Sequence, residues 1–377
     1  MEDVHRRAWA LVSGWDDEQL GTQYHRDLSP IGWHLGHMAV VESYWLCEVV
    51  GGTALPKTMK TFYFPETSPK PGRGSRLPPG KELLAFCNQL QAEVHGRAQS
   101  LSPGCHELLR DDYLWHFLVQ HHWQHIEIMQ QIRHQRALAE HSTAGSFPAM
   151  AARRPNRCMV RVPSSRTLIG AACADAFDNE QKPHEVSVGA FSVSARPVTN
   201  AEYLQFIRDG GYETPAYWDA AGWSWRQQCG VAGPMHWRLG TNDIFYAVEI
   251  AGALPLSGDL PVFGLSYHEA KAFARYAKCR LPHEIEWECA ARHGLLEQAG
   301  YVWEWCVNPF YAYDGFRPFP YERYSVPWMD GHHFVLRGGS MHTGPMLKRP
   351  SFRNFYTPDK RHVFAGLRLA GGAPGLT

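Results

Sequence analysis

The chain has 377 residues, with 37 Lys and Arg against 37 Asp and Glu, so its formal charge at pH 7 is zero. Without a basic excess to hold phosphates, nucleic acid is argued against as a main partner. With 44% hydrophobic and 20% charged residues it reads as a soluble globular protein, long enough for two domains, and its 14 tryptophans can wall aromatic pockets.

The N-terminal MEDVHRRAWALVSGW lacks the long apolar core of a signal peptide, and no run of about 18 apolar residues predicts a membrane helix. The nine cysteines are scattered and form no CxxC pair. That pattern suits reduced thiols and a cytoplasmic location.

The first 140 residues are predicted to be helical. In SPIGWHLGHMAVVESYWLCEVV, Ser29 is the expected N-cap and Pro30 the first helical residue. Trp33, His37, Val40, Tyr44 and Cys47 then share one face. A Pro- and Gly-rich loop follows, TFYFPETSPKPGRGSRLPPG. KELLAFCNQLQAEVHGRAQSL and DDYLWHFLVQHHWQHIEIMQQIRHQRAL are further helices, so residues 1–140 read as a bundle. Residues 141–157, rich in small residues, Pro and Arg, read as a linker. Residues 158–377 alternate short apolar runs with Gly and Pro, broken by helices over Thr199–Arg208 and Ser266–Cys279. This predicts an α+β domain, and the whole as a helical bundle followed by that domain.

The last helix of the bundle carries the most informative stretch, HHWQHIE. Its apolar stripe runs Leu114, Leu118, His121, His125, Ile128, Ile132, which turns His121 and His125 inward. His122 is expected to point outward, and Glu127 falls off the stripe as a second-layer or surface residue. Two imidazoles one turn apart on a buried face need partners, and a divalent ion satisfies both. His37, on the stripe of its own helix, supplies a third ligand, as bundle metal sites do. Three histidines with open positions suit water-activating zinc, or iron that binds substrate and O2, and the spacing alone does not choose. HHWQH is not the zinc-protease motif, which needs Glu after the first His.

Several segments are distinctive together: VTNAEYLQFI, PVFGLSYHEAKAFARYA, RLPHEIEWECAAR, YVWEWCVNPFYAYDGF, VLRGGS and SFRNFYTPDKRHVFAGLRLA. They resemble the formylglycine-generating-enzyme fold, a C-type-lectin-like domain, while SPIGWHLGHMAVVESYWL and HHWQHIEIM resemble a DinB-like bundle. In this order the two resemble the ergothioneine-type sulfoxide synthases, the EgtB family, and their selenoneine-synthase branch, SenA. The resemblance implies a non-haem iron(II) enzyme that uses O2 to join sulfur, or selenium from a selenosugar, to imidazole C2 of hercynine (Nα-trimethylhistidine). It implies iron on His37, His121 and His125, Gln124 near the trimethylammonium group, and Asn354 with Phe355 at the hercynine carboxylate. The second domain is expected to complete the substrate pocket. His122 departs from the Glu usual in the family.

The donor side departs further. An Asp and an Arg, which pair with the charged ends of γ-glutamylcysteine in the family, are here Tyr356 and Lys360. The loop FPETSPKPGRGSRLPP and the segment LSPIGWHLGH look more like the selenoneine branch. The sequence reading therefore favours a selenosugar donor, with cysteine or another thiol as the alternative. A tyrosine is expected as proton or hydrogen donor, and Tyr63, Tyr313, Tyr321 and Tyr324 are the candidates. A formylglycine-generating enzyme is disfavoured because MHTGPMLKRPSFRN lacks the copper-binding cysteines. A DinB-type zinc thiol transferase and a non-catalytic binding module are the remaining alternatives.

Overall fold

The computed structural model describes residues 1–372 except 103, 143, 144, 157 and 242. It divides into two units, Met1–Ala139 and Glu140–Thr377. None of the helices among the described residues is long and apolar enough to cross a membrane.

The first unit is built from α1 (Glu2–Ala10), α2 (Asp17–Gly21), α3 (Ile31–Ser43), α4 (Lys57–Tyr63), α5 (Gly80–Ser100) and α6 (Tyr113–Glu140). Helix α3 starts one residue later than expected: Pro30 is its N-cap, and Ser29 instead accepts a 2.5 Å hydrogen bond from Arg73. Every residue of α3 is buried, so it has no solvent face; it is the central helix. It passes into a π-helical turn, Tyr44–Val49. Helix α4, which was not foreseen, begins before the segment read as a loop and takes in only its first three residues, Thr61 to Tyr63. Helix α6 buries more than one stripe because α1 covers a second face: His5 meets His122, and Arg7 lies over Trp123. The core joins Val4 and Ala8 of α1 to Trp33, Met38 and Val40 of α3 and to Ile126, Met129 and Ile132 of α6.

The second unit contains β1 (Met159–Val162), β2 (Ser165–Ile169), β3 (His184–Val188), β4 (Phe191–Ser194), α7 (Asn200–Arg208), α8 (Ala220–Cys229), β5 (Trp237–Leu239), β6 (Phe245–Glu249), β7 (Gly252–Pro255), α9 (Tyr267–Tyr276), α10 (Glu284–Arg292), β8 (Trp303–Pro309), β9 (Phe334–Arg337), β10 (Asn354–Tyr356), β11 (Ala365–Gly366) and β12 (Ala370–Gly371). The strands form small sheets in the orders β1-β4-β12, β10-β9-β8-β11, β2-β3 and β5-β6-β7, with only β11 parallel to its partner β8 among the described pairs. Helices α7 and α9 begin at Thr199 and Ser266 in capping boxes closed by Glu202 and Glu269. Helices α8 and α10 were not foreseen. The first packs through few buried residues, and the second starts from His283 as an unusual N-cap.

Apolar clusters around Phe191 and Val193, around Trp287 and Phe310, and around Phe263 and Phe364 form cores of this unit, and ion pairs are buried alongside them. Arg353 pairs with Glu284, Arg337 with Glu284 and Glu288, and Arg368 with Glu304, all six fully buried or nearly so. Such charges are costly to bury unless they are paired and hydrogen-bonded. Arg337 adds to its two carboxylates three backbone carbonyls met by Nη1, of Pro350, Ser351 and Phe352, while its Nε has no hydrogen-bond partner among the described residues.

Candidate metal centre

Helices α3 and α6 bring His37, His121 and His125 together. Nε2 of His121 lies 3.3 Å from Nε2 of His37 and 3.1 Å from Nε2 of His125, and one ligand atom from each falls within 4.8 Å of the others. Two nitrogens about 2.1 Å from one ion stand about 3.0 Å apart at a right angle and about 3.4 Å at a tetrahedral one. The two spacings to His121 lie between those limits, and a donor set of three imidazoles suits iron or zinc.

The far side of each ring decides which nitrogen is free. His37 donates from Nδ1 to the Tyr63 carbonyl at 2.6 Å, so its Nε2 carries the lone pair. Gly36 makes that contact possible, because a Cβ there would sit 2.2 Å from the Tyr63 ring. Trp33 stacks on His37 at 4.8 Å, and the Arg73 guanidinium lies 3.8 Å over the other ring system of that stack, Trp33. His125 has its Nδ1 2.9 Å from Nδ1 of His34. His121 Nδ1 is buried without a hydrogen-bond partner among the described residues.

All three rings are held neutral. Burial pulls His37 down to about 4, partly offset by its bond to Tyr63. Burial, and then the neighbouring imidazoles, push His121 and His125 well below the ordinary histidine range. Neutral imidazole is the form that binds a metal.

The expectation that His122 points outward is wrong. Its ring is fully buried, and Nε2 lies 3.2 Å from a Glu42 oxygen that also meets His5 at 2.7 Å. Glu127 is buried as well. The packing of α1 on the face that periodicity assigned to solvent accounts for His122, and the burial of Glu127 agrees with the second-layer place expected of it. Burial raises the Glu42 carboxyl, but the bonds from His122 and His5 outweigh it and hold the group at about 2. His34, His5 and Glu42 were missed. The available signals were the three-residue step from His34 to His37 and a lone carboxylate in the apolar run MAVVESYW.

The other expected site residues are placed within their own units. Gln124 is half-buried on α6, next to His125. Asn354, Phe355 and Tyr356 form β10, paired with β9. Asn354 Oδ1 accepts from the Phe355 N–H at 2.9 Å, and Phe355 stacks on Phe310 at 4.2 Å. Tyr356 contacts His362 edge-on, and Lys360 pairs with Asp359 at 3.0 Å. Tyr313 is wedged into the ion-pair network: it donates to Glu284 at 3.3 Å and accepts from Arg337 at 3.1 Å. Burial pushes its hydroxyl above the ordinary tyrosine range. Tyr324 stacks on Phe177 at 4.4 Å, while Tyr321 is 37% exposed. Tyr63 packs beneath Gly36 and stacks on Phe86.

Residues 1–129 match the DinB superfamily, and residues 145–299 and 292–373 match the sulfatase-modifying factor enzyme 1-like domain. Hercynine oxygenase of Mycolicibacterium smegmatis is 31% identical over 97% of this chain and 96% of its own length. Hercynine oxygenase of Mycobacterium tuberculosis is 32% identical over 94% of both. Ergothioneine biosynthesis protein 1 of Schizosaccharomyces pombe is 28% identical over 52% of this chain and 27% of its own length. With both unit types matched and near full-length identity above 30%, the chain belongs to the hercynine oxygenase family of oxygen-dependent oxidoreductases.

Proposed function

We propose that this chain is an iron(II)- and O2-dependent enzyme that joins the sulfur of a thiol to imidazole C2 of hercynine. The observation that carries the reading is the convergence of three neutral imidazole Nε2 atoms in a chain whose near full-length relatives are hercynine oxygenases. Those relatives support sulfur better than the selenosugar donor favoured by the sequence. The reaction balances as hercynine plus thiol plus O2 giving the sulfoxide and one water. One C–H and one S–H bond break, a C–S bond forms, and the sulfur takes one oxygen.

His37, His121 and His125 would hold the iron, which when bound supplies open positions and O2 activation. The protein supplies orientation. Tyr63, through its carbonyl, fixes the His37 ring, and Trp33 backs it. Gln124 is a proposed contact of the trimethylammonium group, and Asn354 and Phe355 of the hercynine carboxylate; Asn354→Ala should raise KM for hercynine more than it lowers kcat. The Tyr313 hydroxyl is engaged by Glu284 and Arg337.

The selenosugar reading is retained for one reason: Tyr356 and Lys360 stand where the family pairs an Asp with an Arg for a charged donor. Lys360 is already engaged by Asp359. The test is mass spectrometry of products from iron-loaded protein given hercynine with cysteine, γ-glutamylcysteine or a selenosugar. A C–S product from a thiol supports the reading. A product from the selenosugar alone replaces it with the selenium branch.

A further inference from the structure

His34 sits on α3, one turn before His37, and is 4% exposed. Its Nδ1 is 2.9 Å from Nδ1 of His125, with ring centroids 5.1 Å apart. Two ring nitrogens at that distance share one proton: one donates and the other accepts. Which one donates follows from the other side of His125, where Nε2 joins the cluster with His121 and His37. A metal on Nε2 requires a lone pair there, which puts the His125 proton on Nδ1. His34 Nδ1 must then accept, and its own proton moves to Nε2. That atom is buried with no hydrogen-bond partner among the described residues.

The opposite assignment fails chemically. If His34 Nδ1 donated, His125 would be protonated at Nε2 and could not bind an ion there. The ring would point an N–H at His121 Nε2 instead. His37 shows the same logic with a different acceptor, the Tyr63 carbonyl.

We propose that His34 is a positioning residue: a neutral imidazole acceptor that holds His125 in the Nδ1–H tautomer and so aims its Nε2 lone pair into the centre. The inference rests on the three-histidine metal reading. It adds a consequence. A neutral acceptor withdraws no proton from His125 and adds no charge beside the centre, whereas a carboxylate would make the ligand more basic.

The test uses the full chain with 15N-labelled histidine and Zn(II) as a diamagnetic probe. Long-range 1H–15N correlation spectra are expected to show His125 protonated at Nδ1 and His34 protonated at Nε2. A proton on His34 Nδ1, or metal on His34 itself, overturns the proposal. Variants give an independent readout by Fe(II) or Zn(II) affinity. His34→Asn keeps an acceptor near Nδ1 and should bind close to wild type. His34→Leu removes it and should lose about 10- to 100-fold, the usual effect of deleting such a partner. Equal affinity of His34→Leu and wild type overturns the role of His34 alone. Failure of the wild-type chain to bind either metal overturns the metal centre itself. If His34→Leu does not fold, the wild-type spectra decide.

Discussion

Gly36→Ala probes how the His37 ring is set. The added Cβ would lie 2.2 Å from Tyr63 Cε1 and 2.4 Å from Cζ, inside the body of the ring. Carbon atoms rest about 3.7 Å apart, so the ring must move by roughly 1.5 Å. It has little room, being stacked on Phe86 and packed on Phe62. Overpacking of this kind costs about 3 kcal/mol, and Ala over Gly in a helix returns about 1, leaving a net loss of about 2 kcal/mol. The expected result is an unfolding midpoint about 6 °C lower. Because the Tyr63 carbonyl accepts from His37, metal affinity should fall about 10-fold as well. Calorimetry and metal titration measure the two effects. In a Tyr63→Leu background the same substitution should cost less, since the obstructing ring is gone. A Gly36→Ala protein with wild-type midpoint and wild-type affinity would refute the close-approach reasoning.

Acidification should weaken the metal-free first unit. Folded His37 titrates at about 4 and the unfolded chain at 6.5, so the unfolded state binds the proton better in that window. Stability is full above pH 6.5 and falls as pH drops toward 4, by about 3 kcal/mol for His37 alone; amide exchange in α3 and α6 reports it, and unchanged protection would contradict it. Arg368→Met should cost about 3–5 kcal/mol, because the buried Glu304 carboxylate loses its cationic partner and retains the Trp287 N–H; urea unfolding measures this. Adding Fe(II) at 100 times its Kd should stabilise the chain by about 2.7 kcal/mol, and His121→Ala should abolish that gain.

The candidate three-histidine cluster was legible because α6 is long and regular. On it the apolar stripe singled out His121 and His125, and the structure brings them to His37. The same stripe misjudged His122, since periodicity finds one buried face and cannot know that α1 covers another. His37 lies on a helix with no exposed face, so its stripe carried less information than its position beside Gly36. Helix α4 was hidden by the Pro and Gly that flank it. In the second unit the helix starts at Thr199 and Ser266 were read from the sequence and prove to be capping boxes, whereas α8, capped by Asp219 and Gly230, and α10, capped by His283 with Glu286, carry local signals that were passed over. The buried Arg–Glu pairs join residues up to 69 positions apart, beyond the reach of any local pattern.

The most direct measurement is product analysis of the iron-loaded chain with hercynine and a thiol, with and without O2. The expected product is hercynine carrying the donor sulfur as a sulfoxide, formed only in the presence of O2 and absent in His121→Ala. Product formed without O2, or retained in His121→Ala, would contradict an O2-dependent reaction at the three-histidine centre.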